Sequence, residues 1–156
     1  MRTRIVVILV VLAAATVANG QVQQVRQYAA KFVCGKATDQ QMSLYNFAPG
    51  TYYTTINVHN PALSASIEFR KKFALAEPGE RPGRISAWFG AALRPDQAMQ
   101  IDCRNIYGHL GVAPGTFIEG FAVIQLSPRQ ELDVEGVYTA AGNAGVSTIH
   151  MERVAG

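Results

Sequence analysis

The sequence has few of the residue patterns that carry known chemistry. It contains two cysteines and three histidines among 156 residues, and none of these lies two to four positions from another, as the ligands of a local metal site do. No serine stands in a Gly-x-Ser-x-Gly motif, and no glycine-rich loop follows a strand and opens a helix. We therefore expect neither enzymatic activity nor a bound cofactor.

Long apolar runs are also missing, with one exception at the N-terminus. Ile5–Val17 is apolar, two arginines precede it and the small residues Ala18–Gly20 follow it. This arrangement is typical of a secretory signal peptide, residues 1–20, cleaved before Gln21. The run is shorter than the roughly 18 to 20 residues of a bilayer-spanning helix. We expect export to the periplasm or the cell exterior with no membrane span afterwards, and a retained anchor is the alternative.

The processed chain carries no strong charge of either sign. Removing residues 1–20 leaves 12 basic and 11 acidic side chains, a net charge of +1. Because nucleic-acid binding uses a broad positive field, we exclude nucleic acid as a partner. The remaining residues, 21–156, have the size of one domain with its own core, and we predict a single domain.

Alternation of apolar and polar side chains dominates the mature chain. In "TYYTTINVHNP", for example, Ile56 and Val58 share one face, and the composition is aromatic and β-branched, as strands prefer. About eight such segments occur, separated by glycine and proline turns, and none shows convincing helical spacing. The pattern predicts an all-β fold, an immunoglobulin-like antiparallel β-sandwich of about eight strands; a β-barrel is the alternative.

Four local details of this prediction are specific enough to check. The stretch from Arg84 to Leu93 is predicted as one strand, after a turn at "RPG", residues 81–83. Gly35–Gly50 and Asn105–Gly115 are predicted as loops. Lys71 falls on the apolar side of its strand, so either a bulge rephases the strand there or Lys71 lies beyond the covered part of the sheet.

Cys34 and Cys103 both remain after processing. In an exported protein an even pair of cysteines favours a disulfide. Such a bridge closes a loop of about 70 residues and contributes roughly 4 kcal/mol in the chain-entropy model. Two buried free thiols are the alternative.

Five segments carry a resemblance to a known family: "KFVCG", "TTINVHNP", "IDC", "IEGFAVI" and "VEGVYTA". The chain resembles an uncharacterised family of small exported bacterial proteins that pair an early Cys-Gly with an Asn-x-His-Asn-Pro strand end and a later Asp-Cys. The resemblance runs from about Lys31 to Thr139. It implies export, a single β domain and a bridge between Cys34 and Cys103, and it implies no activity or ligand.

His59 ends its strand before Asn60 and Pro61, and we interpret it as structural, bonded to a loop carbonyl or hydrated. The alternative makes His59 a metal ligand or general base together with Asp102, and with His109 or His150 as further candidates. That alternative describes a small periplasmic metal-binding protein or hydrolase.

Three acidic residues stand out in the strands. Asp133 and Glu135 share a strand face, which is typical of a solvated surface. Glu119 interrupts an otherwise apolar strand, and a buried glutamate requires a partner. We therefore expect Glu119 to form an ion pair in the core or to lie at a strand edge.

Two outward-facing aromatic residues, Tyr53 and Trp88, are the candidates for a binding surface. Arg70 and Lys72 share one face of their strand; this pattern is typical of a solvated strand that protects a sheet edge, and binding of acidic polysaccharide or a lipid head group is the alternative.

Together these patterns favour an exported, non-enzymatic binding or structural module whose partner is an unknown protein or polysaccharide outside the cytoplasm. A subunit that assembles edge to edge into a surface fibre is a further alternative.

Overall fold

Strands make up most of the chain that the computed structural model describes, namely residues 25–142 and 145–156. The predicted signal peptide, residues 1–20, lies outside the described residues. Within them no helix is both long enough and apolar enough to cross a bilayer. The elements in chain order are β1 (Arg26–Ala37), α1 (Asp39–Tyr45), β2 (Gly50–His59), β3 (Ile67–Glu77), β4 (Arg81–Ile85), β5 (Phe89–Leu93), β6 (Ala98–Asp102), α2 (Cys103–Leu110), β7 (Ile118–Leu126), β8 (Asp133–Gly142) and β9 (Gly145–Arg153).

The strands pair antiparallel throughout and form two layers that share β1. Layer A has the order β4-β3-β7-β1, with β5 also paired to β3, and layer B has the order β1-β2-β8-β9, with β6 also paired to β2. The path ends at β4 on one side and at β9 on the other, so the described strands do not close into a barrel. The predicted all-β antiparallel sandwich is confirmed, and the immunoglobulin-like topology stays a prediction.

Gly35 is the corner at which β1 passes from one layer to the other. Residues Arg26–Cys34 pair with β7, whereas Gly35–Ala37 pair with β2. Gly35 has a φ of +95°, and a Cβ at this position would lie 2.2 Å from the carbonyl oxygen of Thr116. Glycine is therefore required here both by the backbone angle and by the space.

One main core lies between the layers and takes side chains from both. Phe32 and Phe73 of layer A are fully buried, with ring centroids 6.4 Å apart, and Ile56 and Val58 of layer B are fully buried as well. The shared face that alternation predicted for Ile56 and Val58 of β2 is thus confirmed as the core face. A second, smaller cluster centres on Phe117.

The predicted disulfide between Cys34 and Cys103 is present, with the two Cα atoms 5.7 Å apart. It ties the corner of β1 to the first residue of α2. Next to it, the side chain of Thr54 replaces a missing part of the β1–β2 ladder, since its Oγ1 both accepts from the Val33 N–H and donates to the Val33 carbonyl, each at 2.9 Å.

The prediction that the mature chain has no helix was wrong. In α2 the carboxylate of Asp102 accepts from the backbone N–H of Asn105 at 2.9 Å, and the Asn105 side chain accepts from the Asp102 N–H at 3.0 Å. This capping box starts the helix, and Gly111 ends it in the left-handed region. The predicted loops therefore contain α1 and most of α2, both too short to show clear periodicity.

The stretch predicted as one strand from Arg84 to Leu93 is two strands. The backbone N–H of Ser86 donates to the Phe73 carbonyl at 2.8 Å, and the Ser86 hydroxyl accepts from the Phe73 N–H at 2.9 Å. These bonds hold the link between β4 and β5 against β3. The predicted turn at residues 81–83 belongs to β4, and the chain instead turns at residues 78–80.

Lys71 points into the protein, and both explanations predicted for it were wrong. The register of β3 runs without a shift through Lys71, which lies opposite Ile124 of β7 and Phe89 of β5. Strands on both sides cover this position, and the side chain is 8% exposed. Burial lowers the pKa of its ammonium group.

Candidate functional site

Three of the four predicted binding residues lie together on the exposed face of layer A. The guanidinium carbon of Arg70 is 4.5 Å from the centroid of the Trp88 ring, and the Nζ of Lys72 is 4.6 Å from it. Arg70 and Lys72 point to the same side of β3, and Trp88 reaches them from the link between β4 and β5. We call these three residues the cation–tryptophan cluster.

The positive charges of this cluster have no acidic partner among the residues that the structure describes. Arg70 donates through Nε and Nη2 to the amide oxygen of Gln125, at 3.2 and 3.0 Å, and Gln125 in turn donates to Gln27 at 2.7 Å. Among the described residues no carboxylate oxygen lies within 4.0 Å of the charged nitrogens of Arg70 or Lys72. Both cations are therefore available to an anion from outside.

The interpretation of Arg70 and Lys72 as protection for a sheet edge was wrong. β3 pairs with β7 on one side and with β4 and β5 on the other, so it is an interior strand. An interior strand has no exposed ladder to protect. Edge protection thus does not account for the two cations.

Tyr53, the fourth predicted binding residue, lies elsewhere. It is 54% exposed on the outward face of β2 in layer B, beside a groove of about 390 Å³ that Asp102, Arg104 and Tyr107 also line. The structure therefore does not bring Tyr53 and Trp88 into one platform.

His59 lies between two carboxylates. Its Nδ1 is 3.1 Å from Asp133, at the start of β8, and its Nε2 is 3.2 Å from Asp96, in the loop before β6. The other oxygen of Asp133 accepts from Arg153 at 2.8 Å. The hydrogen bonds to Asp133 and then Asp96 raise the pKa of His59, which favours the imidazolium form with both N–H groups donated. The ring is paired with two carboxylates rather than with the predicted loop carbonyl or water, and a purely structural role for His59 stays a prediction.

This arrangement predicts a pH-dependent contribution to stability. Because the pKa of His59 is raised in the folded state, the stabilisation is complete below the unfolded value of about 6.5 and disappears as the pH rises through the folded value. We expect His59→Gln to lower the melting temperature clearly at about pH 6 and hardly at all at about pH 9, measured by thermal unfolding. Asp133→Asn should weaken the same dependence. An equal loss at both pH values would contradict this assignment.

Asn60 explains why the strand ends where it does. Its side-chain amide donates to the carbonyls of Ala65 and Leu93 at 2.9 and 3.0 Å, and its side-chain oxygen accepts from the Ala62 N–H at 2.9 Å. The residue is fully buried. The Asn-Pro pair is thus a structural end to β2 rather than part of a site.

The alternative metal or catalytic set does not assemble. Asp102 lies opposite Thr55, four register positions from His59, and caps α2. The His109 ring packs against Phe73 and Phe89 with centroid distances of 5.4 and 3.9 Å, and burial, followed by the charge of Lys71, lowers its pKa. Within residues 25–142 and 145–156, no three or more His, Cys, Asp or Glu side chains are grouped so as to hold a metal ion.

Glu119 has a partner, as its position in an apolar strand required, and this partner is a lysine. Its carboxylate pairs with Lys31 of the neighbouring strand β1, and the same ammonium lies 5.4 Å from the centroid of Phe121. An ion pair is therefore present, but it lies at a partly exposed position and not in the core. Glu135 is exposed, as expected of a solvated face, whereas Asp133 is half-buried and pairs with His59 and Arg153.

A cleft that the sequence did not predict lies where β1 crosses layer B. It has a volume of about 450 Å³ and is lined by Phe47, Tyr52, Tyr138, Lys31, His150 and Glu152, among others. The Tyr138 hydroxyl donates to Glu152 at 2.6 Å. Burial, followed by this hydrogen bond, raises the pKa of Tyr138. We call this site the aromatic cleft.

The comparisons with known proteins leave the family open. No protein-family model and no curated protein sequence matches the chain. A solved structure, that of Thermotoga maritima 1070, is similar with a TM-score of 0.48 at 8% sequence identity, over 83% of this chain and 91% of that chain. We draw no conclusion from a similarity at this level. The resemblance to small exported bacterial proteins stays a prediction.

Proposed function

We propose that the protein is an exported, non-enzymatic binding module that holds an acidic polysaccharide on its cation–tryptophan cluster. The observation that carries the proposal is the contact of Trp88 with both Arg70 and Lys72, at 4.5 and 4.6 Å, with no carboxylate oxygen within 4.0 Å of either cation in the described chain.

The chemistry of the three side chains suits a charged sugar. A guanidinium group binds a carboxylate or sulfate through two parallel hydrogen bonds, and an ammonium group adds a point charge beside it. The indole ring offers an apolar face to the C–H side of a pyranose ring. Because Arg70 is already oriented by Gln125, less side-chain freedom is lost when the anion binds.

The surface around the cluster suits an extended polymer. The neighbouring outward positions on β7 and β1 are occupied by Gln125 and Gln27, which lie side by side across the strands. Their amides can donate to and accept from hydroxyl groups. A polymer lying across these strands would meet the two cations, the indole ring and the two amides in turn.

Export is supported by two features. The N-terminal segment has the composition of a signal peptide, and the bridge between Cys34 and Cys103 is of the kind that persists in oxidising compartments outside the cytoplasm.

The proposal predicts that an acidic polysaccharide changes the fluorescence of Trp88, which is the single tryptophan of the chain. Titration with a polyuronate such as polygalacturonate should shift or quench the emission, and neutral dextran should not. Replacing both cations, Arg70→Gln with Lys72→Gln, should weaken binding by at least about tenfold, or roughly 1.4 kcal/mol. Raising the salt concentration should weaken binding of the unmodified protein, because the charges are exposed.

A matched control replaces two other exposed arginines, Arg94 and Arg129, with uncharged residues. This lowers the net charge of the protein by the same amount as replacing Arg70 and Lys72. This variant should bind within about threefold of the unmodified protein if the interaction is local rather than a response to net charge. Equal loss in both double variants, or no binding by the unmodified protein, would contradict the proposed function.

A further inference from the structure

The aromatic cleft has a floor of small residues between two tyrosines. On the inward face of layer B, Tyr52 lies opposite Ala140, and Tyr138 lies opposite Thr54 on the neighbouring strand. The two tyrosines are therefore diagonal neighbours on adjacent strands, about 7 to 8 Å apart at the backbone. Ala140 lies two residues after Tyr138 on β8 and directly opposite Tyr52. Phe47 closes the cleft from the loop before β2, with its ring centroid 5.5 Å from that of Tyr52.

Both tyrosine hydroxyls are already committed. The Tyr52 hydroxyl donates to the Ala48 carbonyl at 2.6 Å, and the Tyr138 hydroxyl donates to Glu152 at 2.6 Å. The Tyr138 ring lies close over Gly136, where a Cβ would be 2.6 Å from the hydroxyl oxygen. The Tyr138 ring also stacks against His150, with the ring centroids 6.0 Å apart. Because both hydroxyls are satisfied within the protein, the cleft offers a ligand mainly aromatic carbon.

The charged groups leave an acidic site at one end of the cleft. Lys31 is neutralised by its ion pair with Glu119. Glu152 has no lysine or arginine nitrogen within 4.0 Å in the described chain, and its nearest basic neighbour is His150, whose Nε2 is 4.0 Å away. Aromatic rings together with a carboxylate that has no lysine or arginine partner within 4.0 Å in the described chain favour a cation.

We infer that the aromatic cleft binds a quaternary ammonium group, of the kind carried by choline. A trimethylammonium group has no N–H, so it needs no hydrogen-bond acceptor, and its methyl groups pack on the faces of Tyr52, Tyr138 and Phe47. A primary ammonium group would need up to three acceptors, and Glu152 is the one carboxylate among the described residues that line the cleft. A volume of about 450 Å³ is within the range of small-molecule sites.

This site is independent of the proposed polysaccharide surface. The aromatic cleft is lined by residues of β1, β2, β8 and β9, whereas the cation–tryptophan cluster lies on the outward face of layer A. The two sites share no lining residue. The two proposed ligands carry opposite charges. Loss of one binding activity thus does not imply loss of the other.

The test compares two ligands of nearly equal shape. Calorimetric titration of the purified protein with choline should show one binding site, and 3,3-dimethylbutan-1-ol, its neutral carbon analogue, should bind at least about tenfold more weakly. Glycine betaine and phosphatidylcholine vesicles separate the two sources of the group: binding of the free molecules indicates a soluble ligand, and binding of the vesicles but not of phosphatidylglycerol vesicles indicates a lipid surface. No binding to any of these, or equal binding of choline and its carbon analogue, would overturn the inference.

Variants assign the binding to the cleft. Tyr138→Leu and Glu152→Gln should each weaken choline binding by about tenfold, whereas Tyr138→Phe keeps the ring and should stay within about threefold. Glu135→Gln removes a carboxylate from the opposite face of β8 and should have no effect. Retained polygalacturonate binding, where the protein has it, and an unchanged circular dichroism spectrum show that each variant is folded. If Glu135→Gln weakens choline binding as much as Glu152→Gln, the cleft is not the site.

Discussion

Removing the disulfide between Cys34 and Cys103 is expected to lower the free energy of unfolding by about 4 kcal/mol. The two cysteines are 69 positions apart, and the bridge restricts the unfolded chain over that length. The double variant Cys34→Ala with Cys103→Ala should therefore melt roughly 10 to 20 °C lower. Denaturant unfolding followed by circular dichroism measures the difference in free energy.

Reduction of the unmodified protein is the control for this prediction. If the bridge itself is responsible, reduction should lower stability to nearly the same extent as the double variant. Free thiols titrated on the untreated protein, or a loss below about 1 kcal/mol in the double variant, would contradict the chain-entropy argument.

Gly35→Ala is expected to lower the free energy of unfolding by at least about 3 kcal/mol. Only the loss of the disulfide is expected to have a larger effect. The substitution combines strain at a positive φ of 95° with a Cβ placed 2.2 Å from a backbone oxygen of Thr116, and neither can relax without moving the corner of β1. The measurement is the same unfolding titration.

Gly108→Ala provides a matched control for the same chemical change. Gly108 lies in α2, and a methyl group added at this position would meet nothing within 4 Å, so the substitution should stabilise the protein by about 0.5 to 1 kcal/mol. If Gly35→Ala is as well tolerated as Gly108→Ala, β1 does not depend on a glycine to change layers.

Side-chain alternation predicted the strands because each layer has one buried face. Ile56 and Val58 in β2 lie on the core side, on the one face that the alternation predicted for them, and the partner of Cys34 followed from the even number of cysteines. The helix α2 was missed because it starts from the side-chain bonds between Asp102 and Asn105, and two turns are too few to establish a helical period.

The candidate sites could be predicted only in part, because they depend on which strands are neighbours. Arg70 and Trp88 were recognised individually as surface residues, but their contact depends on the return of the chain from β4 to β5. The ion pair of His59 depends on the register of β2 with β8, which places Asp133 opposite it. Glu152 reaches Tyr138 only because β9 pairs beside β8. Sequence spacing contains none of these relations.

The two proposed binding sites follow from the way β1 is shared between the layers. Since β1 turns at Gly35, layer B extends past it and leaves the aromatic cleft beside Lys31. Layer A keeps a flat exposed face on its interior strands, where the cation–tryptophan cluster lies. The same corner thus separates the proposed anion site from the proposed cation site.

The most direct test of the proposed function is amide chemical-shift mapping during titration with a short oligouronate. We expect shifts that saturate together at Arg70, Lys72, Trp88 and Gln125 and that are absent around His59. Saturable shifts confined to another surface, or none at concentrations that saturate the fluorescence change, would contradict the assignment of this face as the binding site.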